Sequence, residues 1–283
     1  MYKLSTLHPR KRAFITGAAS GLGKALCLEL AADNWTIGIS DINDEQLSAT
    51  HEEIIKLGGR PHSFHLDVSN REQYKQVVQN YLKETDGIDI LINNAGVGDG
   101  GVFEEYSLDN WEWMVGINQM SVVYGCHNFI PVFKKQRSGH IINIASLAAI
   151  SCAPQMGAYN MTKAAVVAIS ETLYGELMDF NIQVSCVQPS YFKTNIASGV
   201  RGGEKVKKIT QYLLDRSGLE PKEIAQEILR RAGNGELYVI LPQNARKLWW
   251  FKRLFPMRFR KMVKEKYLEA VNKIQSVSDD FTR

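Results

Sequence analysis

Seven short apolar runs punctuate the chain, separated by longer segments in which apolar residues return every three or four positions. The runs are Arg12–Thr16, Trp35–Ser40, His62–Leu66, Ile88–Ile92, His140–Ala145, Ile182–Gln188 and Leu237–Leu241. Several are β-branched and nearly continuous, the pattern of strands covered on both faces. Gly21–Asp33, Asp44–Leu57, Asn70–Thr85 and Met156–Phe180 carry helical periodicity, with Asn43 and Ser69 placed as N-caps. Strand–helix alternation over about 230 residues predicts an α/β fold, a doubly wound parallel sheet of about seven strands with helices on both faces. No repeat, low-complexity stretch or internal linker interrupts it. Residues 1–243 read as one domain and 244–283 as a tail of different character.

Composition changes this picture only at the tail. The 283 residues are 45% hydrophobic and 23% charged, an ordinary globular balance, with a formal net charge of +4. Residues 1–243 carry 23 Lys and Arg against 26 acidic residues, while residues 244–283 carry 11 against 4. The body therefore has no basic excess to suggest nucleic acid. Cys27, Cys126, Cys152 and Cys186 show no CxxC spacing for a metal, and three of them sit in apolar contexts. That fits a reducing compartment. The N-terminal MYKLSTLHPRKR has no apolar core of a signal peptide, and no run approaches the roughly 18 residues of a membrane span. A cytoplasmic protein is the expectation.

The first run ends in Thr16-Gly17-Ala18-Ala19-Ser20-Gly21-Leu22-Gly23, and a helix follows at once. Phosphate needs backbone N–H groups at close range, which only residues without bulk permit, and the helix start adds the favourable end of its dipole. Gly17, Ser20, Gly21, Leu22 and Gly23 are thus candidates to hold a dinucleotide. Asp41 closes the second run, where a carboxylate can accept both adenosine ribose hydroxyls and repel a 2′-phosphate. No Arg or Lys follows it, so NAD is favoured over NADP. Asp67-Val68 and Asn94-Ala95-Gly96 close the third and fourth runs, on the edge where such sheets bind ligands.

Tyr159 and Lys163 lie four apart near the start of a helical segment, hence on one face. A phenol titrates near ~10, and its use as a base at neutrality requires a neighbouring cation to stabilise the phenolate. At this point the chain resembles the short-chain dehydrogenase/reductase family over roughly residues 10–243. The resemblance rests on the turn Thr16–Gly23, the tetrad Asn93–Gly96, Asn118, Ser146, Tyr159 with Lys163, and Pro189 with Thr194. It implies a Rossmann-type fold and hydride transfer between NAD(H) and an alcohol or carbonyl. It further implies Tyr159 as general acid–base, with Lys163 on the nicotinamide ribose and lowering the tyrosine's pKa. Ser146 would hydrogen-bond the substrate oxygen, and Asn118 would anchor a water leading to Lys163. Pro189, Phe192 and Thr194 would join the cofactor site, and a homodimer or homotetramer is implied. Where the family has Pro-Gly this chain has Pro189-Ser190, which bears on the backbone beside the nicotinamide.

The substrate-facing loops are Val97–Leu108, Leu147–Met156 and residues 191–217. The middle loop is apolar (Leu147, Ala148, Ala149, Ile150, Met156), which fits either a hydrophobic secondary alcohol or ketone (or a long-chain alcohol or aldehyde) or simple loop packing. Residues 191–217 are expected to form a lid. The tail Arg246–Ile274 has nine basic residues by Lys266 among Leu248, Trp249, Trp250, Phe251, Leu254 and Phe255. After Pro256 a stripe of Phe259, Met262, Val263, Leu268, Val271 and Ile274 leaves Arg258, Arg260, Lys261 and Lys264 largely off it. This describes either a helix lying on an anionic membrane or one packed on its own domain or a partner subunit. Three rival functions share the fold: an inactive dinucleotide sensor or scaffold, an epimerase or dehydratase, and an NADP-dependent carbonyl reductase.

Overall fold

The computed structural model describes residues 2–192, 201, 211, 212, 214 and 218–280, with side chains to residue 273. Seven strands, β1 (Arg12–Thr16), β2 (Thr36–Asp41), β3 (Arg60–His65), β4 (Ile90–Asn93), β5 (Gly139–Ile144), β6 (Ile182–Pro189) and β7 (Tyr238–Leu241), form one parallel sheet. Their order is β3-β2-β1-β4-β5-β6-β7. The chain leaves β1 in one direction and crosses back to start β4 on the other side. The crevice at the carboxyl ends of β1 and β4 is therefore the topological switch point, where such sheets take ligands.

The helices with bounds among the described residues are α1 (Lys3–Leu7), α2 (Gly21–Ala31), α3 (Asp44–Lys56), α4 (Arg71–Thr85), α5 (Leu108–Val115), α6 (Ser121–Gln136), α7 (Ala148–Ser151), α8 (Gly157–Leu177), α9 (Pro221–Ala232), α10 (Arg246–Leu254) and α11 (Pro256–Asp280). Successive strand residues point to opposite layers. Ala13 and Ile15 of β1 and Ile90 and Ile92 of β4 join the core under α2, α3 and α9. Phe14 and Leu91, one residue along, join the core under α4, α6 and α8. The central strands β1, β4 and β5 are buried on both faces, which is why they read as apolar runs, while the edge strand β3 is exposed or half-buried throughout.

Two caps illustrate how locally the helices are set. The Asn43 side chain accepts from Gln46 N at 3.0 Å at the start of α3. At α4 the cap is Asn70, accepting from Gln73 N at 3.0 Å, and not Ser69 as the sequence suggests. The Ser69 hydroxyl donates instead to Asp67 Oδ1 at 2.7 Å. A carboxylate two residues back outcompetes the helix end.

At the amino edge of the sheet, away from the switch point, His140 is fully buried with Nε2 3.0 Å from Ser185 Oγ and its ring 6.4 Å from that of His8. Burial, reinforced by the neighbouring imidazole, pushes His140 down to about 3.

The C-terminal helices return to the domain. Phe259, Phe251, Leu248 and Met262 pack with Ile150 of α7 and Ile240 of β7. Arg260, which the sequence pattern leaves off the apolar stripe, points inward and donates to the carbonyls of Ile150 and Cys152, both at 3.3 Å, and of Ser151. Lys252 donates to Ala149 O at 3.3 Å. The carbonyl end of a four-residue helix has no intrahelical partners, and cations satisfy it. No helix among the described residues is long and apolar enough to cross a membrane.

Candidate active site

The turn after β1 is shaped for close approach. Gly17 and Gly21 hold φ of +65° and +54°, conformations that side chains resist. A Cβ on Gly23 would stand 2.0 Å from Gly17 O, and one on Gly17 would stand 2.8 Å from Ala95 Cα. Ser20 is the residue before α2 and makes no side-chain capping bond, and the first turn of α2 carries no acidic residue. The N–H groups of Gly21, Leu22 and Gly23 thus face outward from the helix start with no carboxylate competing for them. These features fit a dinucleotide pyrophosphate.

Neighbouring strands brace this turn. Asn94 Nδ2 donates to Thr16 O at 2.9 Å and Gly17 O at 3.0 Å. In return Thr16 Oγ1 accepts from Asn94 N and Ala95 N, both at 3.1 Å. Asp41, at the tip of β2, accepts from Ala19 N and Asn43 N at 3.0 Å each, one through each oxygen. The carboxylate is fixed in place with lone pairs to spare. Asp67 accepts from Ser69 N at 2.9 Å, and Val68 beside it is buried. Pro189 ends β6, its carbonyl accepting from Leu147 N at 2.8 Å. Ser190 is not among the residues with positive φ, so a serine stands where the family has glycine without strain. Phe192 packs on the core beneath α2. Thr194 and most of the lid expected over 191–217 lie outside the described residues.

Tyr159 and Lys163 occupy the first two turns of α8 on one face. Lys163 is buried, donates to Ile144 O at 3.0 Å, and has its Nζ 5.8 Å from the centre of the Tyr159 ring. Burial lowers the ammonium to about 8. The Ser146 hydroxyl beside Tyr159 favours the phenolate, but burial disfavours it more, so the phenol lies above its ordinary value. The expected lowering draws on the Lys163 cation together with the positive nicotinamide ring, and burial pushes in the other direction. Gly96 stands over this pair, and a Cβ there would come within 3.3 Å of Lys163 Nζ and 3.2 Å of Asn118 Oδ1.

Asn118 lies in a π-turn, Gly116–Met120, between α5 and α6. Its side-chain amide is committed to the backbone of the loop after β4 and to α8. Oδ1 accepts from Val97 N and Nδ2 donates to Val97 O, both at 2.8 Å, and Nδ2 also lies 3.3 Å from Thr162 Oγ1. The side chain ties the loop after β4 to α8, one residue from Lys163.

Thr16 and Thr162 are neighbours of the site whose role sequence reasoning missed, whereas Tyr191 was expected in a substrate-facing loop. Threonines next to a motif look like filler until their partners are known. The Tyr191 hydroxyl lies 4.0 Å from Met156 Sδ. Two of the three substrate-facing loops meet, with Gly101 N donating to Gln155 O at 2.8 Å. Part of the apolar character of the Leu147–Met156 loop is turned away from this mouth. Ile150 and Leu147 belong to the cluster that receives the tail.

Comparison with known proteins agrees with this geometry. The family model described as short chain dehydrogenase matches residues 11–205. The chain belongs to that family and is an oxidoreductase acting on CH–OH groups with a nicotinamide dinucleotide. It is 32% identical over 229 residues to the 3-oxoacyl-acyl-carrier-protein reductase of Thermotoga maritima, covering 81% of this chain and 93% of the relative. It is 31% identical over 221 residues to cyclopentanol dehydrogenase of Comamonas sp., covering 77% and 88%. A short chain dehydrogenase/reductase from Burkholderia phymatum, solved in complex with NAD, superposes with a TM-score of 0.82 at 28% identity, covering 86% of this chain and 92% of that one.

Proposed function

We propose that the protein interconverts a hydrophobic secondary alcohol and its ketone (or a long-chain alcohol and its aldehyde), using NAD(H) in preference to NADP(H). The observation that carries the reading is one cluster: Tyr159 beside Ser146, with the Lys163 ammonium one turn away, at the carboxyl edge of the sheet beside the glycine turn. Gly17, Ser20–Gly23, Asp41, Asp67, Val68, Asn94–Gly96, Tyr159, Lys163, Pro189, Phe192 and Thr194 would hold the dinucleotide, which supplies the hydride acceptor or donor and, when oxidised, a positive ring.

Tyr159 holds or gives the proton. In reduction its phenol, kept protonated by burial, donates to the carbonyl oxygen as negative charge develops there, and Ser146 holds that oxygen in line. In oxidation the phenolate takes the hydroxyl proton, with the Lys163 charge stabilising it. Asn118 acts one step back, fixing Val97 and Thr162 around Lys163. Asp41 supports NAD through a carboxylate already aimed by two backbone N–H groups, where a 2′-phosphate would meet like charge. Met156 and Tyr191 beside Tyr159 support an apolar substrate.

Two further parts belong to the reading. Exposed Met161, Tyr174 and Met178, along α8 and just past it, support a dimer or tetramer. The aromatic, cationic residues of 246–274 support a cytoplasmic enzyme resting on a membrane surface.

The test is a panel of alcohols and ketones followed by dinucleotide absorbance, with NAD and NADP in parallel. Turnover is expected with NAD and an apolar substrate, and Tyr159→Phe is expected to remove it while keeping dinucleotide binding. No net absorbance change with any substrate would favour a sensor or an epimerase. Near-normal turnover by Tyr159→Phe would defeat the mechanism.

A further inference from the structure

The C-terminal helices have two sides, and packing accounts for only one. On the inner side Lys252 and Arg260 are turned to the carbonyls of α7. On the outer side Trp250, Leu254, Phe255 and Met257 are 50%, 64%, 48% and 71% exposed. Trp250 and Leu254 are one helical turn apart and share a face. Phe255 and Met257 stand at the corner where Pro256 separates α10 from α11. Around them Arg246, Lys247, Arg253, Arg258, Lys261 and Lys264 are all exposed. No Asp or Glu occurs between Leu237 and Lys264. Arg253 stacks on Trp249 at 3.5 Å, which leaves the edge of its guanidinium to a partner.

We propose that this outer corner is a docking surface for an anionic lipid bilayer, with the six outward cations meeting headgroups and the four apolar side chains entering the interface. The proposal deepens the membrane part of the reading above and rests on it. Sequence alone spreads the contact over 246–274 and counts every cation. The fold confines it to the corner and withdraws Lys252 and Arg260. Three alternatives fit less well. A second copy meeting the same face across a two-fold axis would set cations against cations. Nucleic acid would use the cations and rings but gives no use to an exposed Leu254 and Met257. An acidic protein would face the same apolar side chains without the depth of an interface to bury them. Because α10 and α11 are pinned to the helix that follows Ser146, the bilayer side is held at a fixed place relative to the candidate active site.

The experiment is flotation of the full-length protein with phosphatidylcholine vesicles, with and without phosphatidylglycerol. The protein should float with the anionic vesicles only and be released by high salt. Each cation near such a surface is worth about fivefold in partition. The triple variant Lys247→Glu, Arg253→Glu, Arg258→Glu should therefore lose at least a hundredfold, and Trp250→Ser with Leu254→Ser and Met257→Ser at least tenfold. Lys252→Met with Arg260→Met should stay within about twofold of the parent. Circular dichroism checks that each variant folds. Failure of the parent to float, equal flotation by the outer variants, or loss in the Lys252/Arg260 variant matching theirs would overturn the proposal. So would retention by a DNA duplex without flotation. The readout needs no turnover, so it succeeds or fails independently of Tyr159.

Discussion

Lys163 is a cation held where water scarcely reaches, 4% exposed and donating to a single carbonyl, Ile144 O at 3.0 Å. Its ammonium titrates near 8 in the folded protein against an ordinary 10.5. A base with a lowered folded pKa binds fewer protons than the unfolded chain between those two values. Stability must then rise with pH across that window, because the penalty for a buried charge vanishes as the charge does. At 1.36 kcal/mol per pH unit the whole effect is roughly 3 kcal/mol, of which about 2 to 3 kcal/mol develops between pH 7 and 10. Lys163→Met keeps the length of the side chain and removes the titration. At pH 7 the variant should be the more stable by about 1 to 2 kcal/mol, after allowing for the hydrogen bond lost at Ile144. By pH 10 the advantage should be gone or reversed. The assay is urea unfolding of parent and variant at a series of pH values, read as the difference between them. Buried tyrosines such as Tyr74 and Tyr81, whose phenols are raised by burial, titrate in both proteins and cancel in that difference. A difference that stays constant from pH 7 to 10 would refute the argument. The same variant should lack turnover, so the site would be shown to hold its ammonium against the interest of the fold.

Three more outcomes follow from single contacts. Gly23→Ala puts a methyl 2.0 Å from Gly17 O and 2.5 Å from Asn94 Nδ2. Dinucleotide affinity should fall more than tenfold and stability by about 2 kcal/mol, measured by titration calorimetry and urea unfolding. His140, lowered to about 3 from 6.5, favours the folded state fully above pH 6.5 and loses that contribution as pH falls towards 3. Between pH 7 and 4 this costs about 3 kcal/mol, so His140→Gln should show a correspondingly shallower acid loss in the same unfolding assay. Arg260→Met leaves the carbonyls of Ile150, Ser151 and Cys152 without their cation. Substrate KM should rise several-fold while the KM for the dinucleotide stays unchanged, and an equal rise in both would count against a role in holding the α7 loop.

The sequence by itself determined the sheet, the helices and the position of the candidate site. Strands buried on both faces announce themselves as apolar runs, and glycines at Gly17, Gly21 and Gly23 are required by local backbone geometry. Those are properties of a few consecutive residues. Tyr159 and Lys163 could be paired in advance because a helix fixes the spacing of i and i+4. Tertiary structure decided everything that depends on residues far apart meeting. Whether Ser69 or Asn70 caps α4 turned on a carboxylate, and what Asn118 holds turned on where Val97 came to rest. The direction in which Tyr159 shifts depended on its burial under other segments, which no spacing records. The tail shows the division most clearly. Its amphipathic pattern and charge are local, but the separation of inward Lys252 and Arg260 from outward Lys247, Arg253 and Arg258 exists only because α7, a hundred residues earlier in the chain, presents unpaired carbonyls on one side of it.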